Sequence, residues 1–417
     1  MYYYKDHGPN FFDHIKKDCS QSPHNQIGIH LPHHVCGETK MAIEYHYGKF
    51  PPADINYLEL IDLLEEATAA LARYDGILSG VPNAKLLFGP MMTHEAVLSS
   101  KIEGTQATMG EVMEYEAAGS IEDTSIRKTS DINEILNYRK AINYVMDETQ
   151  SLPLCLRVIR GAHKILLDSV RGQNRAPGEF RKIPNWIGPE GCPIEEATYI
   201  PISADKLPDG MSQWELFLQS KHKSRLLQTA IFHAEFEALH PFLDGNGRLG
   251  RMLIPLFLTS VGLIQCPMFY ISAYFEAHKD QYYSRLRNIS ANDDWTGWCK
   301  FFLEAVICQS NSNREQAEKI MDLYDRKKEK IPEMTNSPHG ITALDMLFKQ
   351  PIFSVADLVN SEKKNGASIR RNLKIFKEAG WIVPIKEASG RKSEIMAFPE
   401  LINIAEGQDV FPKGTPE

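Results

Sequence analysis

The sequence lacks several features that each mark a class of protein. None of the apolar runs in its 417 residues approaches the ~20 residues needed to cross a bilayer, so we expect no integral membrane protein and no membrane partner. The first residues have no basic end followed by an apolar stretch, and we expect no secretory signal. The seven cysteines include no CxxC pair, which argues against a disulfide framework or a structural zinc site. We therefore predict a cytoplasmic protein.

Two further absences concern nucleotides and nucleic acids. The sequence contains no GxxxxGK[ST] segment, which excludes a P-loop NTPase. The net charge is −8, from 46 basic and 54 acidic residues, so the chain as a whole does not resemble a nucleic-acid coat protein. Residues 340–399 differ, because their 10 basic and 6 acidic residues give +4 and leave −12 for the rest.

Apolar spacing predicts a mainly α fold with a separate C-terminal domain. One helix is predicted from Thr93 to Glu116, with Gly104 in its interior. A small β-hairpin is predicted over 180–201, since two short apolar arms flank a tip rich in glycine and proline. The predicted parts are an irregular leader at 1–50, an N-terminal helical region at 51–125, a helical core at 126–331, a linker at 332–340 and a last domain at 341–417.

The last domain has its own order of predicted elements. Three short helices at 341–348, 353–361 and 366–379 are followed by strand, turn and strand up to residue 398. Three helices and a β-hairpin are the order of a winged helix-turn-helix. The segment 332–340 before it contains two prolines and a glycine, which is typical of a linker.

The densest set of chemically useful side chains lies in His240–Arg251, which reads HPFLDGNGRLGR. This stretch separates two apolar helices, so it is a loop that leads into a helix N-terminus. The turn Gly245-Asn246-Gly247 leaves backbone N–H groups unobstructed there, and such groups form an anion site. Arg248 and Arg251 are three residues apart, share a helix face and add positive charge to the same place.

Two further residues complete a reaction site. Asp244 is placed to hold a divalent cation that bridges bound phosphates. The ordinary pKa of a histidine side chain is near neutrality, which suits His240 to take a proton from an attacking hydroxyl. Phosphate site, metal site and base together predict transfer of a group from a nucleotide.

The stretch matches the Fic family motif HPFx[D/E]GNGRxxR at every fixed position, and the chain resembles Fic proteins that have an N-terminal inhibitory helix and a C-terminal winged helix. The resemblance implies an all-helical Fic core with a small β-hairpin flap. It implies transfer of AMP from ATP, with Mg²⁺, onto a hydroxyl side chain of a target protein. The implied roles are catalytic base for His240, magnesium ligand for Asp244, phosphate binding for Gly245, Asn246, Gly247 and Arg248, and the γ-phosphate contact for Arg251, with Phe242 as a buried anchor.

A second match lies upstream. Residues 99–104, SSKIEG, fit the family's inhibitory pattern [S/T]xxxE[G/N], with Ser99, Glu103 and Gly104 at the fixed positions. The resemblance implies that Glu103 pairs with Arg251 and so removes the group that orients the γ-phosphate. ATP then binds with its α-phosphorus turned away from in-line attack.

The predicted hairpin falls where the family has its flap, which pins the target segment by main-chain pairing. The flap residues are Trp186, Ile187, Gly188, Thr198 and Tyr199; an alternative is a surface hairpin that packs Trp186 into the core. The pair Tyr282-Tyr283 resembles tyrosines near the adenine, and Tyr283 is assigned to the nucleobase pocket. Ser290 stands at about the place where some relatives have an amide.

Three alternatives stay open. The winged-helix domain is either a DNA-binding module, with 368–374 as recognition helix and 390–392 as wing tip, or a domain for protein interaction. The same catalytic site is also compatible with removal of AMP, since Glu103 is placed to orient a water. Some family members transfer other phosphate-containing groups. The sequence leaves open the target, self-modification, the acceptor type (Ser, Thr or Tyr) and a homodimer.

Overall fold

A computed structural model describes residues 42–81, 88–119, 125–170, 173–189, 191–362, 365–389 and 393–411. The protein is mainly helical, as predicted. None of the helices in these ranges combines the length and apolarity that a membrane crossing requires. The helices are α1 (Tyr57–Gly80), α2 (Gly89–Ile102), α3 (Met109–Ala118), α4 (Ile126–Glu148), α5 (Leu156–Leu166), α6 (Leu207–Gln219), α7 (Arg225–Leu239), α8 (Asn246–Ser260), α9 (Ser272–Ala277), α10 (Lys279–Asn292), α11 (Trp295–Thr335), α12 (Gly340–Lys349), α13 (Val355–Ser361), α14 (Gly366–Glu378) and α15 (Pro399–Glu406).

The longest helix, α11, packs along α1 and has 41 residues. The sequence predicts a linker at 332–340, and the structure differs. Pro332 lies inside α11, three residues before its end, and its missing N–H removes one hydrogen bond of the last turn. Only residues 336–339 connect α11 to α12.

The helix predicted from Thr93 to Glu116 is two helices. α2 ends at Ile102, and α3 begins after Thr108, whose side chain caps it in a capping box with Glu111. Gly104 has φ +93°, a left-handed conformation that ends α2 and that glycine adopts without strain. The break places Glu103 at the end of α2, where its side chain is free to leave the helix face.

The sequence predicts an irregular leader at 1–50. Its residues 42–50 include a β-strand, and its residues 1–41 lie outside the described part. β1 (Ile43–Glu44) pairs in parallel with β2 (Tyr199–Ile200). β2 also forms a single antiparallel bridge with Ile187, which is what exists of the predicted hairpin. The flap arms are therefore joined to an N-terminal strand.

The C-terminal region has the predicted three helices and hairpin, with two elements that were not predicted. β3 (Ile352–Ser354) and β4 (Val383–Lys386) both pair antiparallel with β5 (Ile395–Ala397), so the sheet order is β3-β5-β4. α15 follows the sheet. Winged-helix assignment stays a prediction, and the predicted wing tip, 390–392, lies outside the described residues. This region packs against α2 and α3, and its buried side chains continue the main core.

Candidate active site

The motif segment joins two buried helices by a short loop. His240 closes α7 with a left-handed backbone, φ 46°, and its N–H donates to the Phe236 carbonyl at 3.1 Å. Gly245 adopts a second left-handed conformation, φ +77°, directly before α8. The left-handed conformation is unfavourable for a residue other than glycine, so the surroundings of His240 must hold it there. The two reversals bring His240 and the first turn of α8 to the same place.

Asn246 and Phe242 hold the loop from the inside. Asn246 Oδ1 accepts from the Phe242 N–H, and Asn246 Nδ2 donates to the Phe242 carbonyl, both at 2.8 Å. The buried Phe242 ring stacks on His163, with 3.7 Å between centroids. The Asn246 side chain is thus occupied within the loop, and its backbone N–H is what it offers to an anion.

His163, which the sequence analysis did not single out, supports the same loop from α5. Its Nδ1 accepts from the Gly178 N–H at 2.8 Å, and its Nε2 donates to the Asp244 carbonyl at 2.9 Å. Because a carbonyl only accepts, the ring is neutral with its proton on Nε2. Burial lowers the pKa of His163 to about 4, so this state holds at neutral pH.

Arg181 is a second residue without an assigned role in the sequence analysis. It is 3% exposed, and its Nε donates to the His240 carbonyl at 3.0 Å. Its Nη2 donates to the carbonyls of Ile202 and Leu239, and its backbone N–H donates to the Pro241 carbonyl at 2.9 Å. Arg181 therefore ties the start of the motif to the segment that follows the flap.

Arg251 is buried and faces the end of α2. Its Nε donates to Ser99 Oγ at 3.0 Å, and its Nη2 donates to the Ser99 carbonyl at 2.8 Å and to Glu103 Oε1 at 2.7 Å. Burial opposes the charge of Glu103, but Arg251 outweighs burial and holds the pKa of Glu103 below its usual range. The two side chains are therefore an ion pair at neutral pH.

Glu103 also covers the N-terminus of α8. A Cβ atom added to Gly247 would collide with the Glu103 carboxylate, so glycine at this position makes room for it. Negative charge at a helix N-terminus is favourable because of the unpaired N–H groups and the helix dipole. The Glu103 carboxylate therefore lies at the helix N-terminus where the sequence predicts an anion site.

Arg248 points to other partners. Its Nη1 donates to the buried Glu134 at 2.7 Å, and its Nη2 donates to Asp244 Oδ1 at 3.3 Å. Asp244 Oδ1 also accepts from the Gly245 N–H at 2.6 Å, while its side chain stays one-third exposed. Asp244 thus lies at the surface of the loop with its orientation fixed.

A cleft of about 370 Å³ collects much of the predicted site. The lining residues that the sequence analysis named are Glu103, Trp186, Ile187, Gly188, Thr198, Tyr199, His240, Gly247 and Tyr283. Ser99, Gly104, Asp244, Gly245, Asn246, Arg248 and Arg251 are not in its wall. Glu237, Leu286 and Arg287 line it without having been predicted.

The side chain of Trp186 in the flap wall of this cleft does not have the core position that one alternative predicts. Trp186 is 41% exposed, and its Nε1 donates to the Cys192 carbonyl at 2.9 Å, so it is not packed into the core. Tyr199 is buried and donates to the Ala238 carbonyl at 3.0 Å. Ser290 hydrogen-bonds His46 Nδ1 at 2.7 Å, which uses this hydroxyl outside the cleft wall.

Burial shifts the pKa values of His240 and Glu237, both in the cleft, in the directions that favour their neutral forms. Burial lowers the pKa of His240 to about 4 in spite of the nearby Glu103, so the imidazole is neutral at pH 7. Burial raises the pKa of Glu237 to about 8, so most of this carboxyl group is protonated at pH 7. The cleft thus holds a neutral base and a neutral acid.

Family models match the residues that build this site. Residues 61–147 match the Fic/DOC family N-terminal model, and residues 153–258, which include the motif loop, match the Fic/DOC family model. This part of the chain belongs to the Fic/DOC family. The predicted family resemblance is confirmed for the Fic region.

Known relatives are more distant over the whole length. The chain is 29% identical over 169 residues to protein adenylyltransferase Fic of Drosophila virilis, covering 39% of this chain and 31% of the relative. It is 27% identical over 217 residues to that of Drosophila melanogaster, covering 50% and 39%. The chain thus spans less than two fifths of these curated relatives. A Fic family protein from Desulfovibrio desulfuricans G20 has the same fold, with a TM-score of 0.53, 21% identity, and coverage of 84% of this chain and 98% of that one.

Proposed function

We propose that the protein is an adenylyltransferase that moves AMP from ATP to a hydroxyl side chain of a target protein, and that Glu103 inhibits it. One observation carries the proposal. The Glu103 carboxylate lies over Gly247, paired with Arg251, in the cleft that His240 lines. A carboxylate there marks an anion site next to a base, and the names of the curated relatives support ATP as the source of the anion.

The proposed reaction needs no covalent enzyme intermediate. The target hydroxyl oxygen attacks the α-phosphorus, a new P–O bond forms, and the bond to the β-phosphate oxygen breaks to release diphosphate. The hydroxyl proton passes to His240, which is neutral at pH 7 because burial lowers its pKa to about 4. The N–H groups of the first turn of α8 and the Arg251 guanidinium hold the phosphates.

Asp244 fits the magnesium role of the proposed substrate, Mg²⁺–ATP. Its carboxylate is one-third exposed and fixed by the Gly245 N–H, and Mg²⁺ is commonly held by one or two carboxylates together with substrate phosphates. When bound, the ion neutralises phosphate charge. Removal of the ion with a chelator is part of the test below.

Inhibition follows from competition for Arg251. A charge-assisted hydrogen bond of this kind is worth about 1.5–3 kcal/mol, which corresponds to a tenfold to hundredfold effect on occupancy of the productive pose. Gly104 supports this arrangement, because its left-handed backbone ends α2 directly after Glu103. Removal of the Glu103 side chain should therefore activate the enzyme.

Intact-protein mass spectrometry after incubation with ATP and Mg²⁺ tests the function. We expect an AMP-sized mass increment on the protein or on an added cell extract, ten to a hundred times faster for Glu103→Gly than for the wild type. Glu103→Gly/His240→Ala and a chelator should abolish it. Glu65→Gly, an exposed glutamate on α1, is the matched control and should leave the rate unchanged. No increment in any protein, with any extract, would refute adenylylation.

A second candidate function is DNA binding by α14. This helix buries Ile369 and Phe376 and exposes Arg370, Arg371 and Lys374 on its other side. Three phosphate contacts would weaken binding about 40-fold between 50 and 200 mM salt. We expect this salt dependence for binding of duplex DNA to the full chain. Replacement of Arg370, Arg371 and Lys374 by alanine should abolish binding, whereas Lys221→Ala/Lys223→Ala should leave it unchanged. No binding at low salt would leave the protein-interaction alternative.

A further inference from the structure

We propose that Glu237 binds the nucleotide, donating a hydrogen bond from its protonated carboxyl group to an oxygen of ATP. The proposal rests on the proposed function and adds a residue outside the motif to it. Glu237 lies on α7, three residues before His240, and lines the same cleft.

The position of Glu237 against α8 is the first argument. Gly250 and Arg251 lie three and four residues after Gly247, so both are its neighbours on one side of that helix. A Cβ atom at Gly247 would collide with the Glu103 carboxylate, and a Cβ atom at Gly250 would collide with Glu237 Oε1. Two carboxyl groups thus lie against this face, one at each glycine, with the Arg251 side chain on the same face.

The two carboxyl groups are satisfied differently. Arg251 donates to Glu103, to the hydroxyl of Ser99 and to the carbonyl of Ser99. Glu237 Oε1 is shielded from solvent, and it has no hydrogen-bond partner among the residues that the structure describes. A buried polar atom without a partner is uncommon in folded proteins and calls for an explanation. Because Oε1 lies against Gly250, a ligand in the cleft that Glu237 lines would contact the other carboxyl oxygen, Oε2, which is not shielded from the cleft in this way.

The charges around Glu237 keep it protonated. Burial is the main cause that raises the pKa of Glu237 to about 8, Glu103 raises it further, and Arg251 opposes both. Because the nucleotide phosphates put negative charge where Glu103 now lies, the bound state also favours the neutral acid. The other titratable or charged groups facing it are Tyr282 and Tyr283 of α10, and His240 and Arg287 in the cleft wall.

The sign of the pH dependence follows. Below the pKa of about 8 the acid is neutral and donates a hydrogen bond. Above it, the carboxylate has no proton to donate and repels the phosphates. The affinity for ATP should therefore fall as pH rises, by about tenfold between pH 7 and pH 9 for a pKa of about 8, and from a lower pH where Glu103 is replaced, because the charge of Glu103 raises this pKa.

The experiment compares Glu237 with neutral side chains. We would measure the dissociation constant of Mg²⁺–ATP by calorimetry from pH 6.5 to 9.5, in a Glu103→Gly/His240→Ala background that removes turnover and the His240 titration. Glu237→Gln keeps a neutral donor, so we expect nearly unchanged affinity at pH 7 and no fall toward pH 9. Glu237→Met keeps the length without a donor and should bind about tenfold more weakly at pH 7.

The Glu237 and Glu237→Gln proteins differ only at this position, and both share the titration of the nucleotide and of Tyr282 and Tyr283, so the difference between their profiles isolates Glu237. Parallel profiles for the Glu and Gln proteins would overturn the inference, and so would wild-type affinity in Glu237→Met at pH 7. Either result with ATP bound would leave the proposed function intact. Absence of ATP binding in all proteins at every pH would overturn the proposed function, and this inference with it.

Discussion

Arg181 and Arg251 are both nearly fully buried, and each has a different relation to the reaction site. Arg251 pairs its charge with the Glu103 carboxylate. Among the described residues no carboxylate contacts Arg181: its guanidinium donates to the carbonyls of His240, Leu239 and Ile202. Its planar, multiple donors bind several carbonyls at once, which a single ammonium group does not do. Arg181 is thus a positioning residue for the His240 loop.

Arg181→Lys should lower both stability and activity. Loss of the donors leaves buried carbonyls unsatisfied, so we expect the free energy of unfolding to fall by about 2–4 kcal/mol. In a Glu103→Gly background, AMP transfer should fall at least tenfold at temperatures where the variant is folded. Denaturant unfolding and the mass-spectrometric assay measure the two effects. Lys182→Ala, at the exposed neighbouring position, should change neither, and equal effects of both variants would contradict the positioning role.

At this scale the sequence predicts the motif residues well and their supports poorly. The spacing of HPFLDGNGRLGR places the base, the carboxylate and the helix N-terminus in one loop, and the structure has them there. His163 and Arg181 have no such spacing signal, because they meet the loop from other segments, and Glu237 precedes the motif on α7. The motif also does not reveal what the Asn246 side chain binds: it is assigned to phosphate binding, but it hydrogen-bonds the backbone of Phe242 in the same loop.

Among the elements, β1 has the largest effect on the flap. Ile43 and Tyr45 donate to the carbonyls of Thr198 and Ile200 along one edge of β2, and Ile187 pairs with the other edge. Both edges of β2 are therefore taken. A target segment that binds by main-chain pairing is left with the outer edge of the arm around Ile187.

His46 connects β1 to the core, so His46→Ala should loosen the flap. His46 Nε2 lies 2.9 Å from the buried Glu235, and Tyr45 donates to the same carboxyl group at 2.5 Å. Loss of one partner of a buried carboxyl group should cost about 2–4 kcal/mol. Hydrogen exchange should become faster at the amides of Tyr45 and Ile200. Glu44→Ala, at the exposed position directly before Tyr45, should leave exchange unchanged. The same acceleration in this variant would refute the role of His46.

Element boundaries depended on how Gly and Pro act near helix ends. Gly104 reads as a weak position inside one helix, but its left-handed backbone ends α2. Pro332 reads as the start of a linker, but it lies in the last turns of α11. β1 has only two residues, and its pairing with β2 joins segments more than 150 residues apart, a contact that local pattern does not predict.

For the whole molecule, the C-terminal region and the catalytic region share the helix that carries Glu103. His94 of α2 lies 3.6 Å from Glu406 of α15, and Lys386 of β4 lies 2.6 Å from Glu114 of α3. α2 is thus contacted by Arg251 at its end and by the C-terminal region on another side. Any partner that moves the C-terminal region acts directly on the helix that places Glu103.

The position of Glu103 over Gly247 has a further consequence for the inhibition that we propose. A carboxylate attached to the same chain competes with phosphate at an effective concentration set by the fold, in the manner of a tethered ligand. Dilution of the protein cannot release it, as dilution would release a separate inhibitor. Inhibition should therefore be independent of how much enzyme a cell makes, and only an event that displaces α2 or outcompetes its carboxylate will end it.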